Sequence, residues 1–235
     1  NLISEKLNEN WSPEQISNAL LNGKLSFKTI YNWIYIGKLK GISFKNLRHK
    51  GKRRKKETRG KFLIGNSITT RPKDVKSRKT FGHWELDTIV SSRGKSKACL
   101  ATFVERKTRF YVAIKIKDRT ASSMLEVIKK LVKVLPKKAL KSFTTDRGKE
   151  FACYKEVEKL DIKVYFADAY AAWQRGSNEN SNGLLREYYP KKTDLGKISN
   201  DDLIEKLILL NSRPRKCLNW DNPFNLFLKE VSHLD

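Results

Sequence analysis

Cysteine and histidine are scarce in this sequence. The three cysteines, Cys99, Cys153 and Cys217, are odd in number and widely separated, and only three histidines accompany them. This pattern excludes a disulfide framework and offers no CxxC pair for a zinc module. We therefore interpret the cysteines as reduced intracellular thiols.

Long apolar runs are missing as well. No stretch is long enough to cross a bilayer, no basic amphipathic helix stands out, and no signal peptide is recognisable. We therefore expect no membrane partner. The chain begins at Asn1 rather than at methionine, which indicates a fragment whose start lies upstream.

Acidic residues are few relative to basic ones. Fifty lysines and arginines stand against 25 aspartates and glutamates, which gives a net charge of +25. A hydrophobic content of 39% is typical of a globular chain rather than a disordered one. The charge excess favours a polyanionic partner, most commonly nucleic acid, with an anionic membrane as the weaker alternative.

The charge is unevenly distributed along the chain. Residues 1–36 carry three basic and three acidic side chains, whereas residues 38–61 carry twelve basic side chains and one acidic. We predict a helix-turn-helix module at 1–37, a basic linker or arm at 38–80 and an α/β core at 81–235. The densest run of the arm is expected to bind DNA phosphates; it comprises Lys52, Arg53, Arg54, Lys55 and Lys56.

The first part of the chain predicts short helices around a glycine-containing break. Residues 11–21 show one helical pattern, Asn22 and Gly23 interrupt it, and Ser26 caps the next helix. This is the helix-turn-helix pattern, whose second helix enters the major groove of DNA. An ordinary helical hairpin explains these residues equally well, but the adjoining basic run favours DNA. The residues on the polar side of the second helix that can reach base edges are Lys28, Thr29 and Asn32.

From residue 81 onward the pattern predicts an α/β core with a mixed sheet. Strand-like runs lie at 83–92, 97–106, 109–118, 140–146 and 162–169, and helical runs lie at 120–136, 149–160, 177–189 and 200–212. The order βββαβαβαα indicates an antiparallel meander that gains further strands through helical crossovers. This is the element order of the ribonuclease H-like fold.

Three carboxylates are expected at one edge of this sheet. Asp87 lies mid-strand between apolar neighbours, Asp146 closes the fourth strand, and Glu179 falls in the first turn of the following helix. Such oxygen ligands suit Mg²⁺, and two ions can promote an in-line phosphoryl displacement. Taken separately, Asp146 is equally well explained as a turn residue and Glu179 as a first-turn glutamate, whereas Asp87 is costly to bury unpaired. The rival carboxylates nearby are Glu85, Glu150 and Asp168.

Four sequence stretches carry a family resemblance: GHWELDT, TTDRGKEF, DAYAAWQRGSNENSNGLLREYYPKKTDL, and WSPEQI with IYNWIY. They resemble the insertion sequence thirty family of transposases, within the DDE transposases and retroviral-type integrases. The resemblance implies that Asp87, Asp146 and Glu179 form a catalytic and metal-binding triad that takes Mg²⁺ or Mn²⁺, two ions in all. It also implies DNA contacts around Glu179, which we assign to Arg175, Asn182 and Arg186.

The function that this resemblance implies is DNA transposition. It implies binding to the terminal inverted repeats of an insertion sequence, metal-dependent strand cleavage, and transfer of the strand into target DNA. It further implies a homo-oligomer when two ends are brought together, and a bacterial cytoplasmic location associated with the nucleoid. Two alternatives stay open: a catalytically silent DNA-binding regulator, and a structure-specific nuclease of the same fold. Mg²⁺-dependent strand transfer would separate the regulator from the transposase.

Overall fold

The computed structural model describes residues 2–8, 13–47, 65–92, 94–168 and 171–234, and it divides into two compact units, Asn1–Thr58 and Arg59–Asp235. The α-helices in these ranges are α1 (Leu2–Asn8), α2 (Pro13–Gln15), α3 (Phe27–Tyr35), α4 (Lys73–Ser77), α5 (Ala121–Val134), α6 (Tyr154–Glu158), α7 (Gly176–Tyr188), α8 (Asn200–Ser212) and α9 (Pro223–Ser232). The strands are β1 (Asn66–Ser67), β2 (His83–Val90), β3 (Cys99–Glu105), β4 (Tyr111–Ile116), β5 (Ser142–Thr145) and β6 (Lys163–Phe166). Within the same ranges, no helix is long and apolar enough to span a membrane.

The N-terminal unit packs α1, α3 and the π-helical turn Ile16–Leu20 around a small apolar core. After α2 the chain continues as a π-helical turn, and Gly23 then adopts a positive φ of 75° in the break before α3. The hydroxyl of Ser26 accepts a hydrogen bond from the N–H of Lys28 and so caps α3 where the sequence predicts it. The buried core residues are Ile3, Leu7, Ile16, Ile30, Ile34, Leu39 and Ile42. The predicted order of helix, break and helix is therefore present.

The predicted linker at 38–80 is too long at both ends. Leu39 and Ile42 are buried in the N-terminal core, so the chain stays packed on that unit after α3. At the other end, β1 pairs with β6 and Val75 of α4 is buried, so these elements belong to the second unit. Neither element is long enough to show a hydrophobic period. The basic run from Lys52 to Lys56 lies outside the described residues.

The second unit is built on a six-stranded mixed sheet with the strand order β1-β6-β5-β2-β3-β4. Strands β2, β3 and β4 form the predicted antiparallel meander, and β5 and β6 join it in parallel. This topology confirms the predicted ribonuclease H-like fold. The sequence pattern missed α9, although Asn222 caps it, and its Phe227 stacks on Phe110 with ring centroids 4.1 Å apart.

The alternation of β2 directs its side chains to two separate cores. Trp84 and Leu86 belong to the core that α5 covers, whereas Ile89 packs with Leu185 of α7 on the opposite face. Asp87 shares the parity of Ile89, so the pleat directs its side chain toward α7. This arrangement brings the mid-strand carboxylate next to the helix that carries Glu179.

Candidate active site

Asp87 on β2 and Asp146, which directly follows the neighbouring parallel strand β5, lie at the same level. His83 pairs with Ser142 and Glu85 with Thr144, so two further residues along each strand bring Asp87 level with Asp146. Adjacent strands are about 4.8 Å apart. The two carboxylates therefore lie side by side at the carboxyl edge of the sheet, where open α/β sheets bind their ligands.

A single arginine lies between these two carboxylates. Arg175 Nη1 is 3.5 Å from Asp87 Oδ2, and Arg175 Nη2 is 3.3 Å from Asp146 Oδ2. Nη1 also donates to the carbonyl oxygen of Leu86, whereas the buried Nε has no hydrogen-bond partner among the described residues. Only 16% of the Arg175 side chain is exposed. The two aspartates, which would otherwise repel each other, are therefore held around one shared cation.

Buried polar contacts fix the start of α7 against the sheet. Asn178 is fully buried, and its backbone N–H donates to Glu85 Oε2 at 2.9 Å while its Nδ2 donates to the Glu85 carbonyl oxygen at 2.8 Å. Its Oδ1 accepts a hydrogen bond from the Thr102 hydroxyl, and Glu85 is itself paired with Arg106. Because these groups are removed from water, each one needs a partner inside the protein. The contacts set the rotation of α7 about its axis.

Replacing Asn178 tests this anchoring. Asn178→Ala removes three buried hydrogen bonds of the amide side chain and is expected to lower the free energy of unfolding by about 1–3 kcal/mol. Asn180→Ala, at an exposed position of the same helix, should change it by less than about 0.5 kcal/mol. Urea unfolding measures both values, and equal losses would show that Asn178 does not anchor the helix.

Further along α7, Asn182 contacts Asp87 directly. Its Nδ2 donates to Asp87 Oδ2 at 3.1 Å, and its Oδ1 accepts from the Tyr111 hydroxyl at 2.8 Å. The amide therefore joins the Asp87 carboxylate to the edge strand β4 and holds that carboxylate in one direction.

Glu179 lies between the two residues that contact Asp87. It is three residues before Asn182, so helical spacing places these two residues on one face of α7, and Arg175 directly precedes the helix. The Glu179 residue itself is exposed. No group of three or more His, Cys, Asp or Glu side chains that could hold a metal ion is assembled within the described ranges. The structure thus brings Asp87 and Asp146 together, and the metal-binding role of all three carboxylates stays a prediction.

Burial raises the pKa of Asp87 above its ordinary value. Arg175 and the N–H of Thr88 act in the opposite direction, while the nearby charges of Asp146 and Glu150 raise the pKa further. The ionised form of Asp87 is therefore disfavoured where it stands, and additional positive charge would relieve it.

The donor set at this edge fits a hard divalent cation. The atoms that converge are carboxylate oxygens of Asp87 and Asp146, which are the ligands that Mg²⁺ and Mn²⁺ prefer. The guanidinium of Arg175 lies between the two carboxylates, so a positive charge is stabilised at this position. The residues present therefore suit the predicted metal.

Two of the rival carboxylates are committed to other partners. Glu85 is paired with the buried Arg106 and with the start of α7. Asp168 exchanges hydrogen bonds with Gln174: its N–H donates to Oε1 at 2.8 Å, and its Oδ2 accepts from Nε2 at 2.9 Å. Both residues thus have structural partners that account for their charge or position.

The third rival, Glu150, is fully buried beside the site. Its Oε1 accepts from Arg119 Nε at 2.6 Å and from the Thr88 hydroxyl at 3.0 Å, while its Oε2 has no partner among the described residues. The sequence gives no sign of a role for Arg119, because a lone arginine in a charged turn carries no pattern. The spacing of Glu150 four residues after Asp146 was the one available signal.

The residues near Glu179 that are predicted to contact DNA form hydrogen bonds or ion pairs within the protein. Arg175 and Asn182 bind the aspartates as described above. Arg186 donates to the carbonyl oxygens of Val90, Tyr189 and Pro190. These three side chains therefore have partners within the protein at the edge where the sequence predicts DNA contacts.

The residues predicted to read DNA bases lie on α3. Lys28 and Asn32 are exposed and Thr29 is half-buried, while Ile30 and Ile34 of the same helix face the core. The polar side of α3 is therefore open to a ligand, and its contact with DNA stays a prediction.

Comparison with known proteins gives one family and several similar transposases. Residues 77–172 match the family described as the integrase core domain. The chain is 34% identical over 253 residues to the protein named "Transposase InsI for insertion sequence element IS30A" from Escherichia coli (strain K12), and it spans 65% of that protein's length. It is 35% identical over 248 residues to the transposase for insertion sequence element IS1086 from Cupriavidus metallidurans, covering 99% of this chain and 73% of that protein. It is 37% identical over 243 residues to the transposase for insertion sequence element IS4351 from Bacteroides fragilis, covering 98% of this chain and 73% of that protein.

Solved structures of retroviral integrase cores are also similar. The catalytic core domain of BIV integrase has a TM-score of 0.48 and 19% identity, covering 64% of this chain and 96% of that one. The HTLV-2 integrase catalytic core domain in complex with magnesium has a TM-score of 0.45 and 17% identity, covering 65% of this chain and 95% of that one.

Proposed function

We propose that this chain, which belongs to the insertion sequence thirty family of transposases, carries out DNA strand cleavage and strand transfer. The observation that supports this best is the pair of aspartates, Asp87 and Asp146, that share the Arg175 guanidinium at the carboxyl edge of an integrase-type sheet. The substrate is double-stranded DNA, namely the terminal inverted repeats of an insertion sequence and a target duplex. Two element ends must be held together, so we propose a homo-oligomer on DNA.

The metal in this proposal is Mg²⁺ or Mn²⁺, with two ions held by Asp87, Asp146 and Glu179. When bound, the ions activate the attacking oxygen and stabilise the leaving oxygen of an in-line phosphoryl displacement. Water is the first nucleophile and frees a 3′-hydroxyl at the element end. That hydroxyl is the second nucleophile and attacks a phosphate of the target DNA.

The protein's own side chains prepare this edge of the sheet. Arg175 neutralises the two aspartates, and its planar fork becomes available to a DNA phosphate once their charge is balanced in another way. Asn182, itself held by Tyr111, keeps Asp87 Oδ2 in a fixed direction. Arg175 would thus serve as a counter-ion before DNA binding and as a phosphate contact afterwards.

Sequence-specific binding is proposed for the N-terminal unit. Lys28, Thr29 and Asn32 of α3 would contact base edges in the major groove. The basic run from Lys52 to Lys56 would contact backbone phosphates, which supplies affinity without sequence preference.

Asn32→Ala is expected to erode the preference for the terminal repeat over a random duplex by about 1–3 kcal/mol, because the bidentate contact of an asparagine with adenine carries sequence information. Asn18→Ala is the matched control, since Asn18 is also an exposed amide of this unit but lies outside α3. Competition titrations with both duplexes measure the preference. If Asn32→Ala weakens binding to both duplexes equally, α3 is not the recognition helix.

The decisive experiment for the proposed function is a strand-transfer assay. A labelled duplex that ends in the terminal repeat is incubated with plasmid DNA and Mg²⁺, and we expect the 3′ strand to be cleaved and joined to the plasmid. Asp146→Asn should abolish both products. Asp161→Asn should preserve them, because Asp161 is exposed and precedes β6 at the opposite edge of the sheet.

The two alternative functions give different results in the same assay. A silent regulator would bind the terminal repeat without any Mg²⁺-dependent cleavage. A structure-specific nuclease would cut branched or nicked DNA without joining it to the plasmid. Either result would replace the proposed function.

A further inference from the structure

We infer that Arg119, anchored by the buried Glu150, is a phosphate-binding residue of the active site that contacts the DNA backbone beside the reacting bond. The inference rests on the proposed function, because it names a further contact with the same DNA substrate. Three features support it: the position of Arg119 relative to the sheet, its ion pair with Glu150, and the two guanidinium nitrogens that this ion pair leaves unused.

Arg119 lies at the same edge of the sheet as the catalytic aspartates. Strands β2 and β4 are both antiparallel to β3 and therefore run in the same direction. β4 ends at Ile116, and Arg119 follows in the turn that leads into α5. The turn after β4 thus opens on the side of the sheet where β2 carries Asp87 and β5 leads into Asp146.

The anchor of Arg119 lies close to both aspartates. Glu150 Oε1 accepts from Arg119 Nε at 2.6 Å and also from the hydroxyl of Thr88, the residue after Asp87, at 3.0 Å. A Cβ added at Gly148 would lie 2.4 Å from Glu150 Oε2 and 2.9 Å from Asp146 Oδ1, so these two carboxylates border the same glycine. A fully buried carboxylate is costly unless it is paired. Here the partner is Arg119, and the ion pair holds the arginine side chain in place.

The other edge of the Arg119 guanidinium is available to a ligand. Glu150 occupies Nε, whereas Nη1 and Nη2 have no hydrogen-bond partner in the described part of the chain, and 42% of the side chain is exposed. Burial alone would lower the pKa of Arg119, but the hydrogen bond and charge of Glu150, with Asp146 and Asp87, raise it. An arginine fixed through Nε presents two coplanar donors, which match the oxygens of a phosphate. The anchor also orders the side chain before the ligand arrives, which reduces the entropy lost on binding.

A scan with neutral phosphates tests this contact. A set of terminal-repeat duplexes is made in which one phosphate at a time, around the cleavage position, is replaced by an uncharged methylphosphonate. Dissociation constants are measured with Ca²⁺ in place of Mg²⁺ for the unaltered protein and for Arg119→Gln. We expect one methylphosphonate to weaken binding of the unaltered protein by roughly 10- to 100-fold and to have no effect on Arg119→Gln. Arg119→Gln should also reduce the salt slope by about 0.9.

Two further variants control for folding and for general charge. Arg119→Gln leaves Glu150 buried without its cation, which is expected to lower the melting temperature. The double variant R119Q/E150Q has a neutral pair, so its melting temperature should be restored. Its binding should still be insensitive to the methylphosphonate that weakens binding of the unaltered protein. Lys117→Gln removes one positive charge from the exposed surface of the same turn. It should weaken binding to all duplexes alike and keep the methylphosphonate profile of the unaltered protein.

An unchanged methylphosphonate profile in both Arg119 variants would overturn the inference and leave a purely structural ion pair, while the proposed function would stand on the strand-transfer assay. If the unaltered protein bound no duplex at all, the proposed function and this contact would both fall. If the effect of the methylphosphonate disappeared in Lys117→Gln rather than in Arg119→Gln, the phosphate contact would belong to Lys117 and the inference would be wrong.

Discussion

Glu179→Gln is expected to lower the rate of strand transfer by at least about 100-fold, because a metal ligand, the role proposed for Glu179, contributes several kcal/mol to the stabilisation of the transition state. Glutamine keeps the length and hydrogen-bonding capacity of the side chain and removes only its charge. Glu179 lies in the first turn of α7, between Arg175, which directly precedes the helix, and Asn182; both of these residues contact Asp87. DNA binding should therefore survive while catalysis is lost. Single-turnover strand transfer and fluorescence anisotropy measure the two quantities separately.

Asp168→Asn is the matched comparison for Glu179→Gln. Asp168 also follows a strand at the carboxyl edge, but its backbone N–H and carboxylate are both used by Gln174. An asparagine can keep these two contacts with Gln174, so the variant should stay within about tenfold of the original rate. If Asp168→Asn were inactive and Glu179→Gln active, the third metal ligand would be Asp168.

The sequence predicted the parts of the fold that extend over several residues. Each central strand has an apolar run of its own, and α5, α7 and α8 show long helical patterns, so their order was readable. β1 has two residues and α4 has five, which is too short for a period of 2.0 or 3.6 to appear. Both elements form because they pack on the finished sheet, and that is a tertiary effect.

The candidate site divides in the same way. Asp87 and Asp146 could be predicted to be neighbours, because each marks a particular level of a strand and the strands are parallel. Arg175 was expected to contact DNA, yet its guanidinium binds the aspartates. Arg119 and Glu150 were not expected to pair. Such contacts join side chains from distant parts of the chain, and no local periodicity encodes them.

Asp87→Asn is expected to leave the metal-free protein at least as stable as the original. Burial raises the pKa of Asp87, so the native state takes up a proton more readily than the unfolded state does. This group therefore favours folding at pH values below its unfolded pKa, and that advantage is lost as the pH rises through the higher folded value. At neutral pH the ionised Asp87 disfavours the folded state. Asparagine removes this penalty, keeps the side-chain shape, and leaves Arg175 paired with Asp146.

The same substitution should remove most of the stabilisation by metal. A ligand at 100 times its dissociation constant stabilises the folded state by about 2.7 kcal/mol, which is roughly 5–10 °C in melting temperature for a chain of this size. We expect excess Mn²⁺ to produce such a rise in the unaltered protein and in Asp161→Asn, but not in Asp87→Asn. Thermal unfolding followed by tryptophan fluorescence, with and without Mn²⁺, measures both effects. General screening of a chain with a net charge of +25 acts mainly through anions and does not depend on Asp87. A variant that melts earlier without metal and still keeps the full Mn²⁺ shift would identify Asp87 as a structural aspartate.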